Sequence, residues 1–173
     1  MSITSTSILN HFDTIAVVTG GLFAGTALYL SIGQVPAMRE FGLNEHWRFF
    51  PYMYKKIALT QASLAAIAGT TSIVHATRIH GAPFFRNLWI AAGTTFLAII
   101  PYTIICLAPT NQTIIDDNKN VKLGNESHIN FAKKKELLDK WAFLHFVRTV
   151  SSVAGFGMMV YGLSRHSSFV FTW

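Results

Sequence analysis

Apolar residues fall into four long runs, at about residues 14–35, 57–74, 87–108 and 141–163, with polar residues gathered between them. Each run matches the ~20 residues a helix needs to cross a ~30 Å hydrocarbon layer. The first three contain no Asp, Glu, Lys or Arg, and the fourth contains one, Arg148. The pattern predicts an all-α integral membrane four-helix bundle forming a single domain over residues 1–173. Open sheets are excluded, because every backbone polar group in lipid needs an internal partner. Gly21-Leu-Phe-Ala-Gly25 on the first run, and Ala65, Ala66 and Gly69 on the second, are small residues that let helices approach closely.

The connections differ in character. Residues 36–56 read PAMREFGLNEHWRFFPYMYKK, an aromatic and charged segment suited to the head-group layer. Residues 75–86 are short, with Gly81 and Pro83 marking a turn. Residues 109–140 form the one long hydrophilic loop, whose last part, from about Phe131, leads as a helix into the fourth span. Pro101 is expected to kink the third span and Pro109 to stop it, with Asn111 at the exit. The freed carbonyl needs a donor, for which Tyr102 and Thr103 are candidates.

Composition sharpens this picture. The chain has 173 residues, 51% hydrophobic and 13% charged, about half the charged fraction of an ordinary soluble domain. Its net charge of +6 does not point to nucleic acid, since the basic residues lie between the spans, nearer to lipid head groups. The loops at 36–56 and 109–140 hold ten Lys and Arg residues against three on the other side, which predicts that those loops are cytoplasmic. The acceptor patterns Asn111-Gln-Thr113 and Asn125-Glu-Ser127 would then stay unmodified. The segment MSITSTSILNHFD has no Lys or Arg ahead of the first run, so that run is expected to remain in the mature protein. The organelle is not indicated. One cysteine, Cys106, allows no internal disulfide.

Candidate chemistry centres on the fourth run. Trp141, His145 and Arg148 are spaced by four and three, so they share one helical face over ~10 Å of axis. An ionisable pair inside an apolar helix is costly and marks a functional site by default. Two readings stay open: Arg148 snorkels to the surface with Trp141 as interfacial anchor, or the face turns inward to a pocket, with His145 as proton acceptor and Arg148 as fixed charge. Gln34, Gln61, Tyr102 and Asn111 fall toward the same end of their runs and are candidate substrate contacts, with helix geometry and interhelical glue as the alternatives. The seven histidines share no two-His spacing typical of one helix, and no metal site is expected. No phosphate loop or nucleophile elbow is visible.

The strings Leu22-Phe-Ala-Gly-Thr-Ala-Leu-Tyr29, Gln34-Val-Pro-Ala37, Tyr52-Met-Tyr-Lys-Lys56 with Gln61, Pro101-Tyr-Thr103 with Pro109-Thr-Asn111, and Trp141-x-x-Leu-His145-x-x-Arg148 occur in an order that resembles the anthrone oxygenase-like family of small four-span membrane proteins. The resemblance covers nearly the whole chain. It departs at Gln34, where many relatives carry an acidic residue. It implies a monooxygenase, an oxidoreductase converting an anthrone-type polyketide to an anthraquinone. His145 would be the base, Arg148 the oxyanion stabiliser and Trp141 a further catalytic-face residue. Dioxygen would be the co-substrate, with no cofactor required. Expected partners are membrane lipid and a hydrophobic small molecule, not nucleic acid, with an oligomer or larger complex left open. A non-enzymatic membrane protein that binds lipid or supports assembly of a complex is the competing reading.

Overall fold

The computed structural model describes residues 11–124 and 127–170, with side chains described as far as residue 165. The described residues form four helices: α1 (Phe12–Phe41), α2 (Leu43–Ala76), α3 (Pro83–Lys122) and α4 (Phe131–Val170). All four are long and apolar enough to cross a membrane, as a multi-pass protein requires. α1 and α3 each pack against both α2 and α4, so the helices run antiparallel around a square. Large apolar side chains cover the outside, among them Leu22, Ile32, Leu59, Ile105 and Phe143. An exterior this apolar suits acyl chains rather than water.

The helices touch most closely near one end. At the α2–α3 crossing, a Cβ built on Gly69 would lie 2.9 Å from the Gly93 carbonyl oxygen, and one on Gly93 would lie 2.8 Å from that of Gly69. Only glycine on both sides permits this approach. Ser72 Oγ–H donates to the Trp89 carbonyl at 2.7 Å beside it. Gly21 of α1 meets the Phe156 ring, whereas Gly25 faces open space. Phe23, Ala65, Phe96 and Met159 fill this half of the core.

Both segments expected as loops at the other end are largely helical. α1 continues past the membrane-length run to Phe41 and turns at Gly42, whose φ of 142° lies where glycine is favoured. α2 then starts at Leu43 and runs straight through Pro51. The stretch 109–140 is helix up to Lys122 and again from Phe131, leaving only a short connection. Asn125 lies outside the described residues. The reason is a second apolar cluster: Trp47, Phe50, Leu107, Ile114, Leu137, Leu138 and Trp141 bury one another, so these extensions pack as a cap on the bundle.

The prolines are accommodated by specific devices. Pro51 has no N–H for the carbonyl four residues back, that of Trp47. Asn118 Nδ2 donates to that oxygen at 3.0 Å. Trp47 Nε1–H in turn donates to Asp117 at 3.0 Å, tying α2 to α3. Pro36 and Pro109 each follow a π-helical turn, Leu30–Gln34 and Thr103–Leu107. There Val35 N–H reaches the Leu30 carbonyl and Ala108 N–H reaches that of Thr103, five residues back. The wider turn lets the helix continue into a proline without a clash. Pro109 therefore does not stop α3, and Asn111 sits within a helix instead of at its exit. Thr103 donates to the Ile99 carbonyl and Tyr102 to that of Leu144, so neither serves the carbonyl four residues before Pro101.

Candidate active site

Between the tight Gly69–Gly93 crossing and the cap, the four helices enclose a cavity of about 310 Å³. Such a space falls at the lower end of the ~300–1,000 Å³ typical of small-molecule sites. All four helices line it, and both π-helical turns contribute, through Leu30 and through Thr103, Ile104 and Leu107. π-turns often occur at functional sites because the extra residue redirects side chains. Most of the wall is apolar. The cavity reaches the outer surface between α2 and α3, where the lining residues Ala62 and Ile104 are exposed, the latter 64%. Its mouth therefore faces the side of the bundle, not either end.

Polar groups converge on this apolar space from three helices. Gln61 on α2 and Asn111 on α3 are each only 3% exposed, and both line the cavity. Gln61 Oε1 and Asn111 Oδ1 have no hydrogen-bond partner among the described residues. A buried acceptor without a donor is destabilising by about 1–3 kcal/mol. Two on one cavity wall are therefore acceptors available to a ligand. α4 contributes Trp141, His145 and Arg148, all turned inward. Arg148 does not snorkel: its Nη2 lies 2.8 Å from His145 Nε2, and its guanidinium sits 5.6 Å from the Phe23 ring centre. Its buried Nε–H has no partner among the described residues. Among the described residues no Asp or Glu lines the cavity, so none of them neutralises the guanidinium there. An interior cation with a free donor and no counter-ion is a receptor for an anion or a polarised carbonyl.

The imidazole of His145 is 1% exposed. Trp141 lies against it, with ring centres 5.0 Å apart, and is itself held edge-on by Phe50 at 5.1 Å. The cap is thus the floor of the cavity. On its far side His145 Nδ1 faces Ser31 Oγ at 3.0 Å and Thr149 Oγ1 at 3.3 Å.

Of the residues expected from sequence, five come together around the cavity: Gln61, Asn111, Trp141, His145 and Arg148. Gln34 and Tyr102 do not line it. Gln34 ends the first π-turn and is half-buried. Tyr102 O–H donates to the Leu144 carbonyl at 3.0 Å, bracing the turn of α4 that carries His145. Sequence reasoning missed Ser31, Thr149 and Tyr54. Pro36, just past a serine in an apolar run, was the available signal for the first of these. Among the described residues, no three His, Cys, Asp or Glu side chains gather as a metal set would require.

The family model for anthrone oxygenase matches residues 50–158. That span includes Gln61, Asn111, Trp141, His145 and Arg148 and leaves out Ser31 and Gln34. The chain is 28% identical over 144 residues to an anthrone oxygenase of Paecilomyces divaricatus, covering 81% of this chain and 87% of the relative. It is 27% identical over 146 residues to an anthrone oxygenase of Aspergillus fumigatus, with 81% and 85% covered. It is also 27% identical over 160 residues to a noranthrone monooxygenase of Aspergillus flavus, with 87% and 72% covered. No solved structure matches the chain.

Proposed function

The chain belongs to the anthrone oxygenase family, and from that premise we propose that it oxygenates an anthrone-like aromatic molecule in the cavity beside His145 and Arg148. The observation that carries this reading is the unneutralised Arg148 guanidinium, whose free Nε–H lies in an apolar cavity that also holds two unpaired acceptors. An anthrone offers the complement: a carbonyl or enolate oxygen for the guanidinium, and ring hydroxyls for Gln61 and Asn111.

The methylene of an anthrone is acidic because loss of a proton leaves an aromatic oxyanion. His145 Nε2 takes that proton, within the hydrogen-bond reach a general base requires. At rest this nitrogen is engaged by Arg148 Nη2. When the guanidinium turns to the substrate oxygen, the lone pair is released, so base and oxyanion partner become available in one movement. Once made, hydrogen bonds from that cation in a dry site lower the barrier by about 2.7–4 kcal/mol. The electron-rich anion combines with dioxygen at its former methylene carbon, and the proton held on His145 returns to the outer oxygen, giving a hydroperoxide. Loss of water leaves the second ring carbonyl. One oxygen atom enters the product and the other leaves as water, so the atoms and electrons balance with dioxygen alone. Trp141 is the aromatic wall against which the rings lie. The side opening between Ala62 and Ile104 favours a substrate drawn from the bilayer, and the basic cap is proposed to face the cytoplasm.

The test uses purified protein, a hydroxylated anthrone and a dioxygen electrode, with quinone absorbance as the second readout. Wild type is expected to consume oxygen and form quinone in step. His145→Ala is expected to lose turnover while keeping its helical circular dichroism. Unchanged oxygen consumption in that variant would remove His145 from the mechanism. A lipid-binding role without chemistry would leave both proteins equally inert.

A further inference from the structure

A guanidinium has donors only, so at the 2.8 Å contact with Arg148 Nη2 the Nε2 of His145 must be the acceptor. A doubly protonated ring is incompatible with that contact. The single proton of the neutral ring is then on Nδ1, and it needs an acceptor in a part of the molecule where an orphan donor is costly. Two hydroxyls are within reach. Thr149 Oγ1 lies 3.1 Å from the Ala27 carbonyl and 3.0 Å from that of His145, so its proton goes to a carbonyl. Its oxygen is left to accept from Ser31 Oγ at 2.8 Å. Ser31, having donated to Thr149, accepts from His145 Nδ1 at 3.0 Å. Each proton in the chain is used once, and one direction runs throughout: His145 to Ser31 to Thr149 to a backbone carbonyl.

We propose that Ser31 is a positioning residue that holds His145 in its Nδ1–H tautomer, keeping the Nε2 lone pair turned toward Arg148. Thr149 alone does this poorly: it sits on the same helix as His145, and its 3.3 Å approach to Nδ1 is the longer of the two. Ser31 comes from α1, within the π-helical turn Leu30–Gln34 that precedes Pro36. The widened turn therefore orients a proton acceptor as well as accommodating a proline. A tautomer flip would put the ring proton against the guanidinium and leave no lone pair at that nitrogen. The importance of this for turnover rests on the oxygenase reading above; the tautomer itself does not.

Two readouts separate those claims. In full-length protein labelled with ¹⁵N-histidine, with His145 identified by its loss in His145→Gln, the ring nitrogens are expected to report a protonated Nδ1 and a bare Nε2. Ser31→Ala is expected to raise the Nε2–H fraction and lower kcat about tenfold, the size of one hydrogen bond, with KM within about threefold of wild type. Ser31→Thr, which keeps the hydroxyl, is expected to restore both. If Ser31→Ala fails to fold, Ser31→Cys, with its weak acceptor, is expected to give the same changes in smaller measure. A wild-type His145 carrying its proton on Nε2 overturns the proposal whatever the activity. So does a Ser31→Ala protein with wild-type tautomer and kcat. A tautomer shift in a chain that never turns over an anthrone supports the positioning role and removes the oxygenase reading instead.

Discussion

Replacing Arg148 by methionine separates what the guanidinium does for folding from what it does for a ligand. Its favourable contacts are few: one hydrogen bond to His145 and one approach to the Phe23 ring. A hydrogen bond to a charged group contributes ~1.5–3 kcal/mol and a cation–π contact ~0.5–2 kcal/mol. Against these stand the desolvation of a cation, on the order of several kcal/mol, and an orphan Nε–H at about 1–3 kcal/mol. Among the described residues no carboxylate lines the cavity to offset them. Methionine matches the stem in length and leaves only His145 Nε2 unpartnered. The favourable and unfavourable terms nearly cancel, so Arg148→Met is expected to unfold close to the wild-type temperature or above it. Its kcat on an anthrone should fall by about 10²–10³-fold, as when one oxyanion donor is lost. Thermal unfolding in detergent and oxygen uptake on the same preparation give both numbers. A variant that is markedly less stable yet retains turnover would show that Arg148 is structural, and the reasoning from its missing counter-ion would be refuted.

Other consequences can be checked as simply. Asn118→Ala leaves the Trp47 carbonyl unpaired and should destabilise by ~1–3 kcal/mol, but much less in a Pro51→Ala background, where residue 51 regains its own N–H; equal losses in both backgrounds, read by thermal unfolding, would dissolve that pairing. Gly93→Ala drives a Cβ to within 2.8 Å of the Gly69 carbonyl oxygen and should lower stability by about 1–3 kcal/mol, whereas Gly25→Ala, in open space, should change it little. Ala62→Trp at the side opening should raise KM for a tricyclic anthrone while leaving the unfolding temperature near wild type.

The membrane bundle was legible because hydropathy over four long runs, three uncharged and one carrying only Arg148, is a strong signal that packing does not override. The face bearing Trp141, His145 and Arg148 was legible for a similar reason: spacings of four and three keep residues together on any α-helix. Gln61 and Asn111 stood out as polar residues in or beside apolar runs. The cap was not legible. The helix from about Phe131 was expected, but whether 36–56 and 109–122 fold as loops or helices depends on Trp47, Ile114 and Leu138 meeting across the bundle, and no local pattern encodes that contact. Proline misled for a related reason. Pro109 read as a stop, but a π-turn accommodates it, as Asn118 supplies the partner that Pro51 removes. Ser31 escaped notice because one hydroxyl in an apolar helix normally bonds its own backbone, and its partners lie more than a hundred residues away.

The central claim is that an anthrone reacts inside the cavity, with its oxygen on Arg148. A structure of the protein soaked with a hydroxylated anthrone under strict exclusion of dioxygen tests it most directly. The account predicts the ligand rings against Trp141, the carbonyl or enolate oxygen within hydrogen-bond distance of the Arg148 guanidinium, the methylene carbon facing His145, and hydroxyls toward Gln61 and Asn111. A ligand bound elsewhere on the bundle, with Arg148 still on His145, would contradict it.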